Sequence, residues 1–86
     1  MATLYKANGD PLETEVTPKN EKVFSMEELQ SFVKGYFEIV ALPMGQRMVV
    51  NEEAIRLNLP YNKKASELAG GEILGDVLVC GGELLG

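Results

Sequence analysis

The sequence predicts a small α+β domain: an antiparallel sheet of about five strands with one helix of two to three turns and one short helix. Three observations carry that prediction. Short runs of β-forming residues alternate with turn residues along most of the chain. One segment alone repeats apolar residues at helical spacing behind a capping signal. The chain has 86 residues, room for a single domain, so it divides only into an N-terminal hairpin and loop (1–22), a core (24–80) and a tail (81–86).

Thr3 to Ala7 alternates Leu4 with polar neighbours, and Asn8-Gly9-Asp10 follows, a turn tripeptide because Gly and Asn tolerate positive φ. Leu12 to Thr17 alternates again, with Thr14 and Val16 as β formers. The pair predicts a hairpin, and Pro11 marks its second strand as an edge. Pro18 to Lys22 is polar and predicts a loop.

In Phe24-Ser25-Met26-Glu27-Glu28-Leu29, Ser25 fits an N-cap and Glu28 the third helical position of a capping box, while Phe24 can staple onto Leu29. Glu27 and Glu28 suit the positive helix end. Leu29, Phe32 and Val33 form one apolar stripe. Lys34 and Gly35 predict the stop, as last-turn cation and C′ glycine.

Tyr36 to Leu42 is continuously β-prone, with Glu38 its only charge, and returns through Pro43-Met44-Gly45-Gln46 as Arg47 to Asn51. A run of this kind predicts a central hairpin buried on both faces. Glu52 to Asn58 fits either a short strand or a helical turn, and Pro60 keeps any helix from running through Leu59. Asn62 can cap a short helix from Lys63 to Ala69, ended by Gly70-Gly71, and Asp76 to Cys80 predicts a buried strand. The tail repeats a phrase: Gly70-Gly71-Glu72-Ile73-Leu74-Gly75 against Gly81-Gly82-Glu83-Leu84-Leu85-Gly86. With no Gly-Lys-Ser/Thr ending after a strand, neither copy is a phosphate loop.

Composition excludes several chemistries. There is no His, hence no imidazole base and no Ser-His or Cys-His pair. The one cysteine, Cys80, forbids an internal disulfide and every multi-cysteine zinc site. Eight basic against 13 acidic residues give −5, which argues against direct nucleic-acid binding and against anionic membrane surfaces. No apolar run approaches the roughly 20 residues of a transmembrane helix, and Met1 to Lys6 lacks the apolar region of a signal peptide. A cytoplasmic protein is expected. A chain this short, without staples, is also expected to gain stability as a homo-oligomer, most simply a two-fold dimer.

Candidate chemistry is sparse. Glu52-Glu53 could join Asp76 around a hard cation, yet no Asp-rich calcium loop is present and a solvated turn explains the pair. Ser25, Ser31 and Ser66 read as a cap and two helix-surface residues, outside any Gly-x-Ser-x-Gly elbow. Cys80, in an apolar strand, reads as a buried small hydrophobe. No catalytic residue, metal site or cofactor is therefore expected, and the chain is not expected to be an enzyme. Ala54 to Ser66 differs: it holds Arg56, Lys63 and Lys64 and no acid. Two lysines in the first turn of the short helix oppose its dipole, a conflict that an anionic ligand would remove. Two exposed lysines on a solvated face are the plainer account.

The motifs Phe24-Ser25-x-Glu27-Glu28-Leu29-Gln30, Val33-x-Gly35-Tyr36-x-Glu38-Ile39-Val40, Val49-Val50-Asn51-Glu52-Glu53, Leu59-Pro60-x-Asn62-x-x-Ala65-Ser66 and Gly75-Asp76-Val77-Leu78-Val79 together resemble the domain-of-unknown-function family numbered 3846. That family is one of small proteins of phages and mobile elements, and its pattern has a glycine where this chain has Ala54. The resemblance implies a setting, not an activity. Two functions fit that setting. In the first, the chain sequesters a small anionic, nucleotide-derived immune signal: Arg47, Arg56, Lys63 and Lys64 meet phosphates, Tyr61 stacks on a base, and Asn51 and Asn62 read polar edges. In the second, an acidic chain inhibits a host defence protein, such as a nuclease or restriction factor, by binding its basic surface.

Overall fold

The computed structural model describes residues 2–86. Five strands, β1 (Ala2–Tyr5), β2 (Glu13–Val16), β3 (Phe37–Ala41), β4 (Gln46–Asn51) and β5 (Val77–Gly81), and two helices, α1 (Met26–Val33) and α2 (Lys63–Ala69), follow the order β1-β2-α1-β3-β4-α2-β5. The sheet runs β2-β1-β5-β4-β3 with every neighbouring pair antiparallel. This is the predicted α+β class.

Alternation along the strands sorts side chains onto two faces. On one face Ala2, Val49, Leu78 and Cys80 are buried under Phe24, Leu29 and Val33 of α1 and its approach. On the other, Met48, Val50, Val77 and Val79 are buried with Ala65 of α2, and Ala69 packs at their margin. Both faces are thus covered within one chain. The central strand is β5; of the hairpin expected there, β4 is an inner strand with Met48 to Asn51 buried, whereas β3 is an edge. Val77 to Cys80 are all buried, whereas Glu38, Ile39 and Ala41 of β3 are exposed. The β-prone run reflects an edge whose outer flank is open. β2 is the other edge, as Pro11 implies.

α1 starts as its sequence dictates. The Ser25 Oγ accepts the Glu28 amide at 3.1 Å, and the Glu28 carboxylate accepts the Ser25 amide at 2.9 Å. Phe24 meets Phe32 edge-on, with ring centroids 5.7 Å apart. The stop differs from expectation. Lys34, not Gly35, takes the left-handed conformation (φ 65°). Gly35 is instead needed for room, because a Cβ there would lie 3.0 Å from the Asn51 Nδ2.

The open segment 52–58 is a chain of turns: Leu57 donates to the Glu53 carbonyl at 2.9 Å and Asn58 to Ile55 at 3.0 Å, and Asn58 ends the run with φ 54°. Ala54 has no positive φ, so its backbone does not require glycine. The two glycine-rich phrases share no structure. Residues 70–75 form a turn and a short ribbon, in which Leu74 bridges Tyr61. Gly82–Leu85 instead form a 3₁₀ turn whose Leu84 and Leu85 pack on the α1 face and whose Leu84 carbonyl accepts the Phe24 amide at 2.8 Å. The tail therefore packs against the core. No helix among the described residues is long and apolar enough to cross a membrane.

Candidate functional site

The seven residues expected to hold an anion are dispersed. Asn62 is 1% exposed. Its Oδ1 caps α2 through the Ala65 amide at 3.1 Å, and its Nδ2 donates to the carbonyls of Tyr5 (3.0 Å) and Gly75 (2.9 Å). Asn51 is buried too, donating to the Val33 carbonyl at 3.0 Å and accepting the Glu53 amide at 2.7 Å. Both asparagines organise backbone and present no polar edge outward, which corrects their assignment as ligand readers. Arg47 stands four residues before Asn51 on β4, roughly 13 Å away along the strand, where its guanidinium donates to the Gln46 carbonyl.

Arg56 is not a free cation: its Nη2 lies 2.7 Å from the Glu53 Oε2. Tyr61 is exposed on its ribbon. Lys63 and Lys64 do share a groove of about 290 Å³, joined by Lys6 from the end of β1, but Glu13 and Glu67 line it as well. Asn62 caps the helix end as the sequence predicts, and so occupies the Ala65 amide that an anion would otherwise meet. Ser66, read as a surface residue, is buried; its Oγ donates to Asn62 and accepts the Ile73 amide at 2.8 Å, fastening α2 to the ribbon.

Asp76 does not join Glu52 and Glu53. It accepts the Ala7 amide at 2.9 Å and pairs with Lys34 at 3.4 Å. Among the described residues no three His, Cys, Asp or Glu side chains gather as a metal site. Cys80 is buried, and that burial, reinforced by the nearby Glu83 charge, pushes its thiol pKa up, away from the reactive thiolate.

What the fold does assemble is a cleft of about 530 Å³ on the α2 side of the sheet, beside edge strand β3. Val50 of β4, Ile73 and Leu74 of the ribbon, and Ala54 and Ile55 of the turns give it an apolar lining. Glu38, Glu52, Glu53 and Glu72 stand around it, against the single cation Arg56. Arg56 pairs with Glu53, and among the described residues Glu38, Glu52 and Glu72 have no ion-pair partner. Glu38 and Glu72 are far apart in sequence, and only the β3–β4 register and the return of the chain after α2 bring them to one rim. No local motif marks them.

The family model described as Domain of unknown function (DUF3846) matches residues 2–84. The chain belongs to this family. The DUF3846 match takes in the N-terminal hairpin and the folded tail as well as the motifs between Phe24 and Cys80, in keeping with β1 lying inside the sheet and Leu84 on the core. No curated protein and no solved structure matches the chain. The DUF3846 description names no activity, so function rests on the cleft.

Proposed function

We propose that this chain is a non-enzymatic binding protein whose acidic cleft takes a basic, partly apolar segment of a partner protein. One observation carries the reading: Glu38, Glu52, Glu53 and Glu72 surround an apolar floor of Val50, Ile73 and Leu74. Apolar surface ringed by one sign of charge suits a segment with Lys or Arg around an aliphatic or aromatic anchor. The chain's −5 charge speeds encounter with such a partner over longer range. In a phage or mobile-element setting, the partner is a host defence protein, disabled through the basic surface with which it holds nucleic acid.

Sequestration of a nucleotide-derived anion is the second reading, favoured by the three lysines Lys6, Lys63 and Lys64 in one groove. It ranks behind because Asn51 and Asn62 are spent on backbone and Arg56 on Glu53.

The test is a calorimetric titration of the chain with a synthetic peptide alternating Lys and Leu, beside a Glu/Leu control. We expect binding of the basic peptide at about micromolar Kd, weakened by salt and by Glu38→Gln with Glu72→Gln, at least ~10-fold for the pair. Equal binding of both peptides, or none, overturns the cleft reading. A parallel thermal-shift screen with cyclic dinucleotides and ADP-ribose should show no stabilisation. A shift abolished by changing Lys63 and Lys64 to Ala would install the second reading instead.

A further inference from the structure

The two edges of the sheet are not equivalent. In β3 the ladder to β4 is made by even-numbered residues: Leu42 donates to the Gln46 carbonyl at 2.9 Å, and the Tyr36 carbonyl accepts the Glu52 amide at 3.0 Å. With Phe37 opposite Asn51 and Ala41 opposite Arg47, antiparallel alternation turns the N–H and C=O of Phe37, Ile39 and Ala41 outward. No proline, bulge or lysine blunts this edge. Tyr36 and Ile39 are 64% and 48% exposed beside it.

We propose that β3 is a homodimer edge, pairing antiparallel with β3 of a second copy about a two-fold axis at Ile39, so that two five-stranded sheets become one continuous sheet. The register is self-complementary. Ile39 faces Ile39 of the second copy, and Phe37 faces its Ala41. All are positions whose backbone groups already point outward, so about six new hydrogen bonds form. On the opposite face Glu38 stands opposite Val40 rather than opposite a carboxylate, and one step beyond the strand Tyr36 meets Leu42. β2 does the reverse. Its sequence Glu13-Thr14-Glu15-Val16 sets carboxylate against carboxylate when paired with itself around Thr14 or Glu15, which is destabilising. One edge is thus guarded by charge, and the other is left able to recognise its own copy. The association needs no uncovered sheet face, since α1 and α2 cover both. If the cleft binds as proposed above, the dimer sets two clefts on one side of the joined sheet, with a Glu38 from each copy near the axis; the oligomer itself does not depend on that reading.

The test combines sedimentation equilibrium with amide exchange on the full chain. We expect twice the 9.4 kDa chain mass at about 100 μM, above the micromolar range of a modest dimer. The Phe37, Ile39 and Ala41 amides should exchange at least ~10-fold more slowly there than at high dilution. Ala41→Pro removes an outward N–H without touching the ladder to β4, and Ile39→Lys sets two ammoniums face to face at the axis. Each should return the single-chain mass with an unchanged circular dichroism spectrum. A single-chain mass for the wild type at 100 μM overturns the proposal. So does a dimer in which the three odd-numbered amides exchange as freely as on dilution, a result that stands even if neither variant folds.

Discussion

Asn62 and Tyr5, 57 positions apart, are joined by a 3.0 Å hydrogen bond from the asparagine amide to the tyrosine carbonyl. The same nitrogen donates to Gly75 at 2.9 Å while the side-chain oxygen caps α2. One buried side chain therefore ties the end of β1, the approach to β5 and the start of α2. Among the described residues no buried side-chain polar atom lacks a partner, so this knot has no slack.

Removing the knot should be severe. Asn62→Ala orphans two carbonyls and an amide and is expected to cost roughly 2–4 kcal/mol. Asn62→Asp keeps the cap but turns an acceptor toward two carbonyls, and should lose at least as much at neutral pH. Urea denaturation midpoints at a common slope check both.

Ser25→Ala should lower stability by about 0.5–2 kcal/mol through the lost cap on α1. Its partner adds a pH dependence. The Glu28 carboxyl lies below its ordinary value of 4.5, chiefly through the hydrogen bond from the Ser25 amide and also through that from Lys19. A lowered native pKa gives stability that is full above the unfolded value and fades as pH falls through the native one. Glu28→Gln should therefore flatten the fall of stability as pH drops through and below the ordinary glutamate value, which denaturation at stepped pH would reveal.

Two glycines of one phrase should respond oppositely to alanine. Gly75 has φ +83°, and a Cβ there would lie 2.8 Å from a Leu59 methyl, so Gly75→Ala should cost about 1–2 kcal/mol. Gly71 has no positive φ and open space around it; Gly71→Ala should be neutral or gain up to ~1 kcal/mol by restricting the unfolded chain. Thermal melts of the two variants, run together, separate these outcomes.

Cys80 is fully buried, and its raised thiol pKa keeps it protonated at neutral pH. It should react with a thiol-specific disulfide reagent only as fast as the chain opens, and promptly in denaturant. Rapid stoichiometric labelling of the native chain would contradict the burial.

Local chemistry was legible in the sequence; long-range placement was not. The capping box at Ser25 and Glu28 and the cap at Asn62 need only neighbouring residues, and both stand as expected. The Lys34–Gly35 stop misleads because glycine serves two purposes, positive φ and close approach, and spacing cannot tell them apart; here Asn51 decides. The edge position of β3 is not legible locally, because a β-prone run is the same on an edge as in the middle until neighbouring strands are known. For the site, the acid-free stretch around Lys63 stands out in the sequence through local charge. The cleft that forms unites Glu38 with Glu72 through the strand register, which no window along the chain contains. The pairing of Arg56 with Glu53 was within reach, three residues apart in the sequence.

β5 lies between β1 and β4, and of the five strands it is the last to leave the ribosome. Until Val77 to Gly81 emerge, the chain holds two separate hairpins, each too small to persist alone in water. Ala2 must then find Cys80 across nearly the whole chain, a contact of high sequence separation and correspondingly slow closure. The two hairpins therefore reach their final arrangement only when β5 joins them. A chain cut before Val77 lacks the strand that bridges β1 and β4, and so is not a smaller version of the domain.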